Sequence, residues 1–237
     1  MASSTPTDSR RLYLQIADRL RTVMYQPDFT TQGRLPPERA LAEQLGVSRP
    51  SIREALVALE LEGRVEIRMG SGVYLTQMAA PGAHETAAPA GEMGNSLTDI
   101  MGARVLFEGA IAALVAPLAK PRDLKALRAI YETMEQQCQG GHSPAAADRD
   151  FHMRIAQMAA NEVLVQTVAR LYDERQDPIS AKLLDHYEPE DSWLIALHEH
   201  RDILEAIEAR DAIQAQAAMQ RHLKLSLRRT MTRKQLS

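Results

Sequence analysis

At 237 residues, 45% hydrophobic and 25% charged, the chain has enough apolar content for one large or two modest globular domains. A single cysteine, Cys138, excludes an internal disulfide, and the polar start Met1–Ser9 lacks a signal-peptide core. No run reads as apolar enough to span a membrane, the expected location is cytoplasmic, and a net charge of −3 excludes a bulk positive field as the basis of any nucleic-acid binding.

Leu12, Ile16, Leu20 and Val23 recur at helical spacing and predict a first helix over 11–25. After a loop with Pro27 and Gly33, a second helix starts at Pro37, where proline is pre-organised for the first turn, and ends near Gly46. Ser48 is the expected N-cap of a third helix, which tolerates Pro50 in its first turn and stops at Gly63. Val65-Glu66-Ile67-Arg68 and Val73-Tyr74-Leu75 flank Met69-Gly70-Ser71-Gly72, which is the pattern of a β-hairpin. Three helices and a hairpin make a winged helix-turn-helix over residues 1–76.

Residues 77–95 are rich in Ala, Gly and Pro, carry no periodicity and read as a linker. From 96 to 237 the pattern is helical throughout: about 97–118, 121–138, 144–160, 162–173, 179–185, 191–209 and 211–230. The expected fold class is therefore mainly α, a winged helix-turn-helix followed by an all-α bundle.

The first 76 residues hold 10 Arg against 9 Asp and Glu, and no lysine precedes Lys120. DNA binding must then rest on where each arginine is placed. Arginine's planar fork holds guanine edges or phosphates bidentately, which lysine cannot do. Ser48, Arg49 and Arg53 fall in the first turns of the third helix, the part of a recognition helix that meets base edges, and Arg49 and Arg53 share a face at i, i+4.

Leu35-Pro36-Pro37-Glu38-Arg39, Leu45-Gly46-Val47-Ser48-Arg49, Ile52-Arg53-Glu54-Ala55-Leu56 and Gly70-Ser71-Gly72 resemble the signature of the GntR family of bacterial transcription regulators. The resemblance implies that Arg39, Ser48, Arg49 and Arg53 touch DNA and that Gly70 lets the wing approach the minor groove. The family often has a hydroxyl residue and then proline after the Ser-Arg pair. Here the order is Pro50-Ser51, which moves a hydroxyl role to Ser51.

In the second half, Asp148 and His152 stand at i, i+4 on one helix face, continued by Ile155 and Ala159. His200 lies on the stripe Trp193, Leu197, His200, Leu204, Ile207, and His222 on Ala215, Met219, His222, Ser226. The turn near 209–211 is midway between the two histidines, so an antiparallel helix pair sets them at one level. One carboxylate and three inward imidazoles can bind a divalent transition metal, or can be hydrogen-bonded core residues. His84, His142, His186 and His198 fall in loops, the linker or an outer stripe and are not expected to bind metal.

Asp148-Arg149-Asp150-Phe151-His152, Asn161, Glu199-His200-Arg201-Asp202-Ile203-Leu204 and Arg221-His222-Leu223 resemble the FCD effector domain of the FadR-type branch of that family. The resemblance implies metal ligation by Asp148, His152, His200 and His222, with zinc first and nickel or manganese as alternatives. It also implies a small carboxylate effector, because members that bind acyl-CoA lack this set. Arg104 matches a position that often faces the ligand, or forms a surface ion pair with Glu108. Arg175 is a second candidate anchor for an effector carboxylate or a neutral surface residue, and Asn161 is either a contact or a helix cap.

Arg11-Leu12-Tyr13, Pro36-Pro37-Glu38-Arg39, Glu66-Ile67-Arg68-Met69-Gly70-Ser71-Gly72-Val73-Tyr74 and Asn161-Glu162-Val163-Leu164-Val165 together resemble repressors of hexuronate catabolism, which implies a uronate or related sugar acid as effector, with lactate, gluconate-type and dicarboxylic acids as alternatives. The expected partners are a pseudo-palindromic double-stranded operator, the effector and a second copy in a homodimer, with no membrane. A metal-dependent enzyme with an accessory DNA-binding head and a pure metal sensor stand as alternatives at this stage.

Overall fold

The computed structural model describes residues 12–26, 28–76, 95–187 and 192–231. The linker expected over 77–95 lies outside these residues except for Asn95.

The chain divides into two compact units, and the division is not a single cut. The first comprises residues up to Ser96 together with Asp177–His186; the second comprises Leu97–Gln176 and everything from Tyr187 onward.

The first unit holds α1 (Leu12–Val23), α2 (Glu38–Leu45), α3 (Arg49–Leu61), β1 (Val65–Arg68) and β2 (Gly72–Leu75). α1 buries Tyr13, Leu14, Ile16, Ala17 and Leu20 and packs chiefly on α3. Gly46 ends α2 in the left-handed region at φ 66°, which glycine adopts without steric cost. Ser48 then caps α3, its side chain accepting from Ser51 N at 3.2 Å. β1 and β2 pair antiparallel, with Val65 opposite Leu75 and Ile67 opposite Val73. The segment before α2 extends this hairpin: Leu35 N donates to Val73 O at 2.9 Å, and Leu75 N donates to Gly33 O at 2.8 Å.

α8 (Pro178–Tyr187) contributes to this same unit through its residues up to His186. Its Ile179 and Leu183 are fully buried, and His186 Nε2 lies 2.6 Å from Glu60 Oε2 on α3. The other Glu60 oxygen accepts from Ile67 N of β1 at 2.8 Å, so one carboxylate joins α3, the wing and α8.

The second unit is helical: α4 (Leu97–Val115), α5 (Pro121–Gln139), α6 (Ala145–Met158), α7 (Glu162–Asp173), α9 (Ser192–Glu208) and α10 (Ala212–Met231). α4 packs along α10, and α9 packs on α10 and α5. A Cβ on Gly109 would stand 2.6 Å from Gln220 Cγ, so the missing side chain permits the α4–α10 approach. Pro117, which has no N–H to donate, turns the end of α4 into a short 3₁₀ turn over Ala116–Leu118. α6 ends two residues earlier than the sequence suggests, and Ala160 takes φ 49° to turn the chain into α7.

One expectation is corrected. Leu97–Leu118 spans 22 residues at mean hydropathy 1.6, enough in length and composition to cross a membrane. Half of it is buried against the bundle, and a buried ion pair between Arg104 and Glu108 sits mid-helix. Its apolar character all round reflects a helix covered on one side and carrying exposed Leu106, Phe107, Leu114 and Leu118 on another.

Candidate functional site

The first turn of α3 is the part the first unit presents. From Ile52 to Leu59 every residue of α3 is buried, whereas Ser48 and Arg49 are exposed and Ser51 is half-buried. Ser48 Oγ and Ser51 Oγ lie 2.8 Å apart, so both hydroxyls stand together at the helix start. Arg39 is exposed on α2 beside Glu43, and Gly70 takes φ 77° in the wing turn.

Arg53 shares a face with Arg49, both turned toward Glu38, but differs from it in burial. It is fully buried, with Nε 2.8 Å from Glu38 Oε2. The same Glu38 oxygen lies 3.7 Å from Arg49. Glu38 opens α2 and draws both arginines toward it. Arg53 lies one turn deeper along α3 and fills the gap between the two helices, while Arg49 keeps its head in solvent.

The second unit brings Asp148 and His152 of α6, His200 of α9 and His222 of α10 together. One donor atom from each lies within 4.8 Å of the others, close to the span available to ligands about 2.0–2.2 Å from a common ion. The His200 and His222 ring centroids are 4.2 Å apart, and those of His152 and His222 5.4 Å. The three rings are buried.

Each imidazole is held by its Nδ1. His152 Nδ1 lies 2.5 Å from Glu108 Oε2, His222 Nδ1 lies 2.9 Å from Glu199 Oε2, and His200 Nδ1 lies 2.7 Å from Ala196 O. A proton on each Nδ1 leaves Nε2 with its lone pair, the form that ligates a metal. The Nε2 atoms of His152 and His200 are buried with no hydrogen-bond partner. His200 Nε2 is 3.0 Å from Asp148 Oδ1, yet lacks the alignment of a hydrogen bond. Two orphaned inward nitrogens beside a carboxylate fit a divalent cation, which would satisfy both.

The charges agree. Burial and the neighbouring His200 ring lower His222 to about 3, outweighing Glu199, so the ring is neutral and ready to donate a lone pair. Burial pushes Asp148 up, but His200, His152 and Arg175 together hold it well below the usual carboxylate range. Burial likewise opposes ionisation of Glu108, and Arg104 and His152 outweigh it, leaving the carboxyl at about 2.

Arg104 is 1% exposed and not the surface residue that i, i+4 spacing alone allows. Its Nε donates to Glu108 at 2.5 Å, and its guanidinium lies 4.7 Å from the centre of the Tyr172 ring. Tyr172 OH donates to Asp148 Oδ2. Arg175 NH1 stands 3.9 Å from the same oxygen. Asn161 is exposed, and its Oδ1 accepts from Val163 N and Leu164 N at 3.0 and 3.4 Å, so it caps α7. His198 is exposed and hydrogen-bonds within its own helix at Leu194 O, outside the cluster.

Sequence reasoning did not single out Glu108, Tyr172 and Glu199 as site residues. Glu199 could have been found from its place beside His200, since a metal-bound histidine usually donates its second N–H to a carboxylate or carbonyl.

A winged head with an arginine at the tip of its recognition helix, joined in one chain to a helical bundle with an inward Asp-His₃ set, is the build of a DNA-binding transcription regulator. Residues 12–75 match the model of the bacterial regulatory proteins of the gntR family, and residues 99–225 match the FCD domain. The chain belongs to the GntR family and carries an FCD domain. It is 33% identical to the Exu regulon transcriptional regulator of Escherichia coli K12, over 92% of this chain and 83% of the relative. It is 31% identical to the Uxu operon regulator of Haemophilus influenzae, over 90% of this chain and 79% of that protein. Among solved structures it is similar to E. coli McbR/YncC, with TM-score 0.50 and 20% identity over 91% of this chain and 95% of that one, a likeness of fold. These relatives are regulators, and the chain is a transcription regulator rather than an enzyme.

Proposed function

We propose that this regulator is a homodimeric repressor whose operator affinity is controlled by a sugar acid of the hexuronate class, bound at a metal held by Asp148, His152, His200 and His222. The observation that carries the reading is the pair of buried, unpartnered Nε2 atoms facing Asp148. When bound, the ion supplies a positive centre for the effector's carboxylate, with zinc first and nickel or manganese as alternatives. The exposed apolar side chains of α4 support the dimer, and two heads suit a pseudo-palindromic site. Acting on chromosomal DNA places the protein in the cytoplasm.

Arg104 and Arg175 are the cations nearest the cluster and suit the role of effector anchors. The space beside His152, lined by Glu108, Ile111, Ile155, Val168 and Met219 among others, is too tight to admit a water molecule. Pockets for small molecules run from about 300 Å³ upward. Effector entry therefore involves movement of these side chains, and a ligand that prefers the moved arrangement shifts the equilibrium toward it. The likeness to Uxu and Exu regulators supports the hexuronate class over other acids.

The test is metal content by elemental analysis of untagged protein, followed by thermal shift with galacturonate, glucuronate, lactate and dicarboxylic acids. A divalent metal and stabilisation by a hexuronate alone support the reading. Metal-free protein that no acid stabilises overturns it.

A further inference from the structure

Among the described residues of the DNA-binding head, most arginines are already neutralised. Arg21, Arg39, Arg49, Arg53, Arg64 and Arg68 each have a carboxylate oxygen within 4.0 Å. Arg19 and Arg34 are exposed and have no such partner among the described residues; Arg19 lies on α1, and Arg34 alone of the two lies in the segment paired with the wing. Arg34 sits in the strand-like segment that extends the wing, with its backbone bridged to Tyr74 and to Thr31.

Its side chain is carried by the wing itself. A Cβ built on Gly72 would lie 2.7 Å from Arg34 Nε and 3.2 Å from one terminal nitrogen, so the guanidinium rests on the space that only glycine leaves open. Gly72 also takes φ 135°, a conformation that other residues rarely adopt. Next to it, Arg68 lies 4.6 Å over the Tyr74 ring, and Tyr74 OH is 2.7 Å from Ser71 Oγ. These contacts stiffen the turn on which Arg34 lies. An open cleft of about 570 Å³ adjoins it, lined by Asp28, Thr31, Gln32, Pro37 and Tyr74 along with Arg34 itself. Asp28 forms no ion pair with Arg34 among the described residues.

We propose that Arg34 is a phosphate-contact residue of the DNA interface, held at the wing by Gly72 and aimed at the sugar-phosphate backbone beside the groove the wing enters. A wing that approaches a groove must pass the phosphates at its rim. A guanidinium with no internal carboxylate is the group whose charge is available to them. In residues 1–76, which hold no lysine, one such cation beside the wing carries a large share of the counterion release that drives association.

The experiment uses the full chain and fluorescence anisotropy with labelled mixed-sequence, A·T-only and G·C-only duplexes across a salt series. Arg34→Ala should weaken binding to all three by about fivefold per head near 0.15 M salt and reduce the salt slope by about one per head. Arg34→Lys should restore most of the slope, and Arg19→Ala, which removes an exposed arginine of α1, should change neither quantity. Melting temperature should be unchanged in Arg34→Ala, since its side chain is exposed. An unchanged salt slope in Arg34→Ala overturns the proposal. So does a loss confined to the A·T duplex, which would mean minor-groove reading instead of phosphate contact.

Discussion

Glu199 holds His222 at 2.9 Å through one carboxylate oxygen while Arg229 grips both of its oxygens, at 2.6 and 3.0 Å. The residue preceding one proposed ligand on α9 thus orients another on α10. Glu199→Gln keeps the shape but weakens acceptance from Nδ1, and metal affinity should fall about 10- to 100-fold, read by competition with a chelator. His200→Ala should lose the metal outright. Full occupancy in purified His200→Ala would dismiss the site.

Arg49 and Arg53 should fail in different ways. Arg49→Ala should abolish specific operator binding, at a cost of about 1–3 kcal/mol in base discrimination, without changing the melting temperature. Arg53→Ala removes a buried partner of Glu38 and should destabilise the head by about 3 kcal/mol. Calorimetry alongside operator titration separates the two, and an unaltered melting temperature in Arg53→Ala would contradict the buried role.

Acid should unfold the metal-free protein in two stages. His222 is held neutral in the fold, its ordinary 6.5 lowered to about 3, so the unfolded chain binds the extra proton. The stability this contributes is complete above pH 6.5 and is lost as pH falls toward 3, at up to about 1.4 kcal/mol per pH unit. Glu108, lowered from 4.5 to about 2, adds its loss below pH 4.5. Chemical denaturation as a function of pH measures this, and His222→Gln should flatten the range between pH 6.5 and 4.5 and lessen the slope from there to pH 3.

Asn161→Ala should cost about 1 kcal/mol of stability by uncapping α7 while leaving hexuronate affinity unchanged. A large loss of ligand affinity at unchanged stability would return Asn161 to the effector site.

A double substitution of Leu106→Glu and Leu114→Glu places charge on the exposed apolar side of α4, where the two leucines are 68% and 49% exposed. Light scattering should then report a monomer. A persisting dimer would locate the interface elsewhere.

The helices and the wing were legible because their apolar residues recur at fixed periods and their ends carry Ser48, Gly46, Pro121 and Asn161. The three histidines were legible for the same reason, each lying on an apolar stripe. α4 was different. Apolar nearly all round, it has no stripe to say which side faces inward, so Arg104 and Glu108 read equally well as a surface pair. The burial of Arg53 was not legible because it depends on Glu38, fifteen positions earlier on another helix, a contact that periodicity along α3 does not contain. The role of α8 was hidden likewise, since its partner Glu60 lies 126 positions away.

The chain passes between its two units three times, after Ser96, after Gln176 and after His186. The compact unit that contains the winged helix is therefore drawn from two separate stretches of the chain. A fragment ending at residue 96 would keep the winged helix but lose Ile179, Leu183 and the imidazole that meets Glu60, leaving a carboxylate that also anchors the wing short of one partner. A chain cut within 77–94 would leave residues 1–76 with no covalent tie to the bundle, held through their contacts with α8, which stays joined to it at both ends. A winged helix expressed without α8 would leave these contacts unmade, and the bundle expressed alone would carry α8 with Ile179, Leu183 and His186 uncovered.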